Sequence, residues 1–210
     1  MKVIYITDTH GICQKLIENN KELLTGMDLV FLGGDIYTGE IQYINHLFTV
    51  PIVAVHGNHD GVWDYKNTNI FDIHGALVEC ENGITITGFQ GSSKYKPIQL
   101  FGFTQEESIQ GSKKLPKADI LMSHDGPFGY CGNVNDEAHC GLQGVYDYIE
   151  EKKPKTCLFG HHHVNKHFII NDTDCYCVYG LAIIDFNEDG TINKIDVYNE
   201  NGEKVVINIA

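Results

Sequence analysis

Five short clusters of metal-capable side chains recur along this chain, each placed just after a β-type run. They are Asp8-Thr9-His10, Gly33-Gly34-Asp35, Gly57-Asn58-His59-Asp60, Ser123-His124-Asp125 and Gly160-His161-His162-His163. Such clusters meet in space only if the runs before them are strands whose carboxyl ends lie together. That requirement constrains the fold more tightly than any composition value. The groups on offer are carboxylate and amide oxygens with imidazole nitrogens, a set suited to a pair of divalent transition metals. One Asp or His after a strand is usually a turn or cap residue. Five clusters in this order point to a dinuclear site.

The runs themselves predict an α/β fold. Lys2 to Thr7 is apolar and β-branched and reads as a buried strand. Ile12 to Leu24 spaces Ile12, Leu16, Ile17, Leu23 and Leu24 as an amphipathic helix would. Asp28 to Leu32 is a second strand, Glu40 to Phe48 a second helix ending ahead of Pro51, and Ile52 to Val55 a third strand. Strands alternating with helices imply a largely parallel sheet, and such sheets bind ligands beyond the carboxyl ends of their strands. Farther on, Leu77 to Glu81 and Ile84 to Phe89 read as a hairpin around Asn82-Gly83. Thr104 to Lys114 is weakly helical, Asp119 to Ser123 is a strand, Leu142 to Lys152 a helix and Thr156 to Phe159 a strand. Residues 125–139 lack periodicity and exceed the usual connection, a length more typical of functional loops. His167 to Ile170, Cys175 to Phe186, Ile192 to Tyr198 and Lys204 to Ile209 then read as an antiparallel meander in a second sheet. Neither a linker nor a repeat interrupts the chain, so residues 1–210 are expected to form one domain.

The order D-x-H, G-D, G-N-H-D, a lone His and G-H-x-H resembles the calcineurin-like metallophosphoesterase superfamily, over Asp8 to His163, about three quarters of the chain. The entry His139-x-Gly141 to the helix ending at Lys152 resembles its small bacterial and archaeal phosphodiesterase-like members. The resemblance implies two packed β-sheets flanked by helices, a four-layer αββα sandwich with the metal site at strand carboxyl ends. It implies that Asp8, His10 and His163 serve one metal, that Asn58, His124 and His161 serve the other, and that Asp35 bridges them. His59 would be the catalytic histidine that supplies a hydrogen bond or proton to the leaving oxygen, oriented by Asp60. His161 and His163, two apart on a strand end, would share a side, with His162 pointing away. Two divalent ions are implied as cofactors, manganese first, with iron, zinc, cobalt or nickel also compatible. The expected reaction is hydrolysis of a phosphate ester by a metal-bridging hydroxide.

Departures limit what is inherited. Val164 stands where these relatives often have Glu, and Tyr179-Gly180-Leu181 where they have an Asn-Pro-Gly turn, so substrate preference is not carried over. A net charge of −13 argues against a general grip on nucleic acid or an anionic membrane. A small phosphodiester or nucleotide is the expected substrate; a phosphomonoester or phosphoprotein is the enzymatic alternative, and a weakly catalytic scaffold the non-enzymatic one. Seven cysteines without a C-x-x-C pair, Cys175 and Cys177 among them, read as reduced thiols. With no secretory leader or membrane span in the sequence, a cytoplasmic location is expected. Asp125 reads as a solvated loop acid, with a supporting partner to the adjacent ligand His124 as the alternative. His139 reads as a substrate-facing alternative to a plain loop residue, and Trp63, Tyr65, Phe128 and Tyr130 as core or rim packing rather than base-stacking groups.

Overall fold

The computed structural model describes residues 1–62 and 65–209. The apolar runs form β1 (Lys2–Thr7), β2 (Leu29–Leu32) and β3 (Ile52–Ala54), joined through α1 (Cys13–Asn20) with its 3-10 extension (Lys21–Leu23) and α2 (Thr38–Leu47). The short strand β4 (Ile70–Asp72) is followed by the hairpin β5 (Leu77–Glu79) and β6 (Thr85–Phe89), and by the small pair β7 (Ser92–Ser93) and β8 (Gly102–Phe103). Next come α3 (Gln105–Ser112), β9 (Ile120–Ser123), α4 (Gln143–Lys152) and β10 (Thr156–Phe159). The remainder is strand: β11 (Lys166–Ile170), β12 (Thr173–Cys177), β13 (Gly180–Phe186), β14 (Ile192–Tyr198), β15 (Lys204–Val205) and β16 (Asn208–Ile209).

Two sheets pack face to face. The first runs β15-β14-β13-β1-β2-β3-β4 and the second β16-β11-β12-β10-β9-β6-β5. Strands β1 to β4 are mutually parallel, as are β6, β9, β10 and β12. Alternation within β1 explains the layering. Val3 and Tyr5 join Phe31 and Val53 against Ile86, Met122 and Leu158 of the opposing sheet. Ile4 and Ile6 point the other way, into the layer formed with Leu16, Ile17, Ile41 and Ile44 of α1 and α2. The second sheet is covered likewise, with Leu121, Cys157 and Phe159 beneath Val145, Tyr148 and Ile149 of α4. Burial on both faces is why these strands read as continuous apolar runs. The expected four-layer sandwich is the fold found.

The carboxyl-terminal strands correct the predicted meander. Cys175 to Phe186 is two strands in different sheets: β12 pairs with β10 and β11, whereas β13 pairs with β1 and β14. The chain crosses between layers at Val178-Tyr179, and Gly180 at φ 98° begins the new strand. Both halves are apolar because each faces a core, so the pattern carries no mark of the crossing. The final run divides in the same way, β15 going to the first sheet and β16 to the second. Strand β4 escapes sequence reading because two of its three residues are exposed and no alternation results. Among the described residues no helix is long and apolar enough to cross a membrane.

Candidate metal centre

All five clusters lie at the carboxyl ends of β1, β2, β3, β9 and β10, along the edge where the two sheets meet. The backbone there is unusual. Asp8, His10, Asp35, His161 and His163 have φ of 54°, 44°, 54°, 65° and 52°, and make up five of the eight non-glycine residues at positive φ among the described residues. Each such residue costs on the order of 1–2 kcal/mol. The left-handed turns stop the strand alternation and swing successive side chains inward. They also overturn the expectation that His161 and His163 share a side: His161 joins Asp35 and His124, whereas His163 joins Asp8 and His10.

In each of those two groups the candidate ligand atoms lie within 4.8 Å of one another. Asp35 links its own group to the other, with Oδ2 3.7 Å from His10 Nε2 and Oδ1 3.6 Å from His124 Nε2. Asn58 Oδ1 is 3.0 Å from His124 Nε2, so all seven predicted donors converge. Several features fit divalent cations. Asp8 Oδ1 is buried without a hydrogen-bond partner. His10 Nε2 and His163 Nε2 face each other at 3.1 Å, where two lone pairs would repel unless a proton or cation lies between them. His124 Nδ1 donates to the Gly33 carbonyl at 2.8 Å and His161 Nε2 to that of Ala138 at 2.7 Å, which in the neutral rings leaves the other nitrogen free as a ligand. Burial lowers the His161 pKa to about 4, keeping that ring neutral near neutral pH. Burial works against ionisation of Asp8, but the close approach of His163, whose Nε2 lies 3.6 Å from Oδ1, the nearby His124 ring and donation by Thr7 Oγ1 to Oδ2 outweigh it and hold the carboxyl at about 2.

A family model of calcineurin-like phosphoesterases matches residues 1–165. The chain belongs to that family. Solved structures of the same fold lie at low identity. A protein of Thermus thermophilus is 13% identical at a TM-score of 0.63, covering 88% of this chain and 93% of that one. The phosphopantetheinyl hydrolase of Mycobacterium tuberculosis is 13% identical at a TM-score of 0.57, covering 85% and 89%. GAP50, the anchor in the inner membrane complex of Plasmodium, is 9% identical at a TM-score of 0.54, covering 93% and 87%. These likenesses are of fold alone. No curated protein matches the sequence.

Within this phosphoesterase fold, close packing explains two of the motif glycines. A Cβ on Gly57 would be driven into the Asp35 carboxylate, and one on Gly160 into Asp8 and Thr7. The role expected of Asp60 needs correcting. Its carboxylate accepts from the backbone N–H groups of Asp35 (3.0 Å), Ile36 (2.9 Å) and Gly57 (2.6 Å), and so ties the second and third clusters together instead of orienting His59. Burial and the neighbouring Asp35 charge raise its pKa to about 7 despite those donors. His59 is exposed; its N–H donates to Asp35 Oδ1 at 2.8 Å and its ring stands 5.7 Å from that of His10.

Asp125 is not solvated. It is 0% exposed and accepts from Ser93 N (3.0 Å), Gly126 N (2.8 Å) and His162 Nε2 (3.0 Å). His162 does point away from the donors, into this buried pair. Sequence reading missed Glu40, whose carboxylate accepts from Thr9 Oγ1 (2.9 Å) and from the N–H groups of Gly11 (3.1 Å), Cys13 (2.6 Å) and Tyr37 (2.9 Å). Glu40 thereby clamps the loop carrying His10; the only sequence sign was an acid in the first turn of α2. His139 has its ring 5.1 Å from His161 and its Nδ1 2.9 Å from Asp136 Oδ2. Tyr130 stacks on Phe168 and Tyr146, Tyr65 packs on His56, and Phe128 is half-buried; Trp63 lies outside the described residues.

Proposed function

We propose that this protein is a dinuclear metal-dependent phosphoesterase, acting on a small phosphodiester or nucleotide in the cytoplasm. One observation carries the reading: the Asp35 carboxylate, a member of one three-residue donor group, turns one oxygen toward His124 of its own group and the other toward His10 of the second. Two divalent ions held there, manganese first, would neutralise an approaching phosphate and lower the pKa of water between them to near neutrality. Asp8, His10 and His163 would hold one ion; Asn58, His124 and His161 the other; Asp35 both. His59, exposed and with its ring 5.7 Å from that of His10, would give a hydrogen bond or proton to the leaving oxygen. Asp60 acts through the backbone, fixing the peptide groups from which Asp35 and Asn58 project.

The rival reading is a scaffold of the same fold, and the likeness to the Plasmodium anchor gives it substance. Against it stand the complete donor set and His59. The test is hydrolysis of bis-p-nitrophenyl phosphate beside p-nitrophenyl phosphate by metal-stripped protein resupplied with manganese, with Asp35→Ala and His59→Ala alongside. Faster diester cleavage, lost in both variants, is the expected result. A monoester preference would redirect the assignment to a phosphatase. Lack of turnover on either substrate would refute the enzyme reading.

A further inference from the structure

Between β7 and β8 the chain makes a short excursion that none of the sequence motifs includes. It is firmly braced. Asp125 accepts from Ser93 N at its base (3.0 Å), and Gln99 Nε2 donates to Ser92 Oγ (3.0 Å) and the Ser93 carbonyl (3.3 Å). Gln99 Oε1 in turn accepts from Tyr95 N at 3.3 Å. The excursion sets a half-buried Tyr95 against the metal centre, with its oxygen 3.3 Å from Asn58 Nδ2. The other end of that amide, Asn58 Oδ1, belongs to the converging donors, so the phenol is one side chain away from them.

The chemistry of the contact fixes the direction of the phenol proton. An amide N–H only donates, so the Tyr95 oxygen accepts from Asn58 and must direct its own O–H elsewhere. No acceptor for it is found among the described residues. The Lys96 ammonium sits 4.7 Å from the centroid of the Tyr95 ring, where it draws on the π-electrons and makes the O–H a better donor. It also sets a positive charge beside the phenol, in a chain whose net charge is −13.

We propose that Tyr95 is a substrate-binding residue whose phenol donates to a non-bridging oxygen of the bound phosphate ester, with Lys96 beside it as a charged support. This deepens, and rests on, the phosphoesterase reading above. The test compares manganese-reconstituted wild type, Tyr95→Phe and Lys96→Gln, measuring metal content by mass spectrometry and inorganic-phosphate affinity by calorimetry. KM and kcat on bis-p-nitrophenyl phosphate are read alongside. Phe keeps the ring and its lysine while removing only the oxygen. The expected result is unchanged metal content, phosphate binding weakened about 10- to 100-fold in Tyr95→Phe and a raised KM. Lys96→Gln should weaken phosphate about two- to five-fold. Wild-type phosphate affinity in Tyr95→Phe at equal metal content overturns the proposal. Reduced metal content with normal phosphate affinity at saturating manganese also overturns it, leaving Tyr95 only a prop for Asn58. A wild-type protein with neither metal-dependent phosphate binding nor turnover overturns the phosphoesterase reading and this proposal with it.

Discussion

Gly57→Ala should disable the centre while leaving the fold recognisable, because the added methyl has nowhere to go. Its Cβ would collide with Asp35 Oδ1 and lie 2.8 Å from Asp35 Cγ, closer than real Cβ contacts come. Relief requires the carboxylate or the loop to move by about 1 Å, at an overpacking cost of roughly 1–3 kcal/mol. The oxygen displaced is the one that accepts from His59 N at 2.8 Å, and losing a bond to a charged acceptor adds about 1.5–3 kcal/mol. If the loop resists, the melting temperature should fall by about 10 °C for a chain of this size. If the carboxylate swings aside, stability survives but both donor groups lose Asp35, and metal affinity should drop by about 100-fold or more. Gly39→Ala is the control, since no atom lies within 4 Å of its added Cβ and the helix should gain about 0.5–1 kcal/mol. The assay is metal content after dialysis against a weak chelator, with a thermal melt of the same samples. A Gly57→Ala protein that keeps both the wild-type metal content and the wild-type melting temperature would refute the packing argument.

Glu40→Gln removes the charge that four donors share, so thermal unfolding should report a loss of about 2–3 kcal/mol, with weaker metal retention because the loop of His10 is freed. Asp125 is held at about 2, burial opposing ionisation but His161, His162 and the Ser93 N–H overriding it. A depressed carboxylate stabilises the fold above its unfolded pKa and ceases to do so as pH falls toward the folded one. The stability gap between wild type and Asp125→Asn should therefore be about 2 kcal/mol at pH 7 and shrink below about pH 4 in denaturant titrations; a gap that stays constant down to pH 3 would count against the buried pair. Stripping metal should lower the melting temperature, since an ion present at 100 times its dissociation constant contributes about 2.7 kcal/mol, and differential scanning fluorimetry with and without chelator measures the difference.

The parts of the fold legible in the sequence are those whose signal is local. The runs before Asp8, Asp35 and Asn58 announce buried parallel strands, and the motif order announces the donors at their ends. Asp60 and Asp125 escape such a reading for a common reason: each is a carboxylate whose partners are backbone N–H groups or a ring distant in sequence. Asp60 reaches back to Asp35 and Ile36, and Asp125 reaches Ser93 and His162. A buried acid fully satisfied by such donors looks, in one dimension, like an exposed one. The change of sheet at Val178-Tyr179 is hidden because Cys175 and Cys177 face one core and Ala182 and Ile184 another, and apolarity does not say which.

The shared fold of a hydrolase and an anchor shifts the weight of the functional argument onto energetics at the strand ends. Here the chain holds five left-handed ligand candidates, an unpartnered buried oxygen on Asp8 and two imidazole nitrogens in opposition at 3.1 Å. The left-handed residues and the unpartnered oxygen together cost several kcal/mol, while the facing nitrogens need a proton or a cation between them. A pure interaction platform would gain nothing from them. On the proposed two-metal reading, bound cations would supply the partner that Asp8 Oδ1 lacks and would lie between the facing nitrogens. On the same reading Tyr95, in contact with Asn58 and with Lys96 over its ring, would give an incoming phosphate its first hydrogen-bond donor that is not a metal ligand.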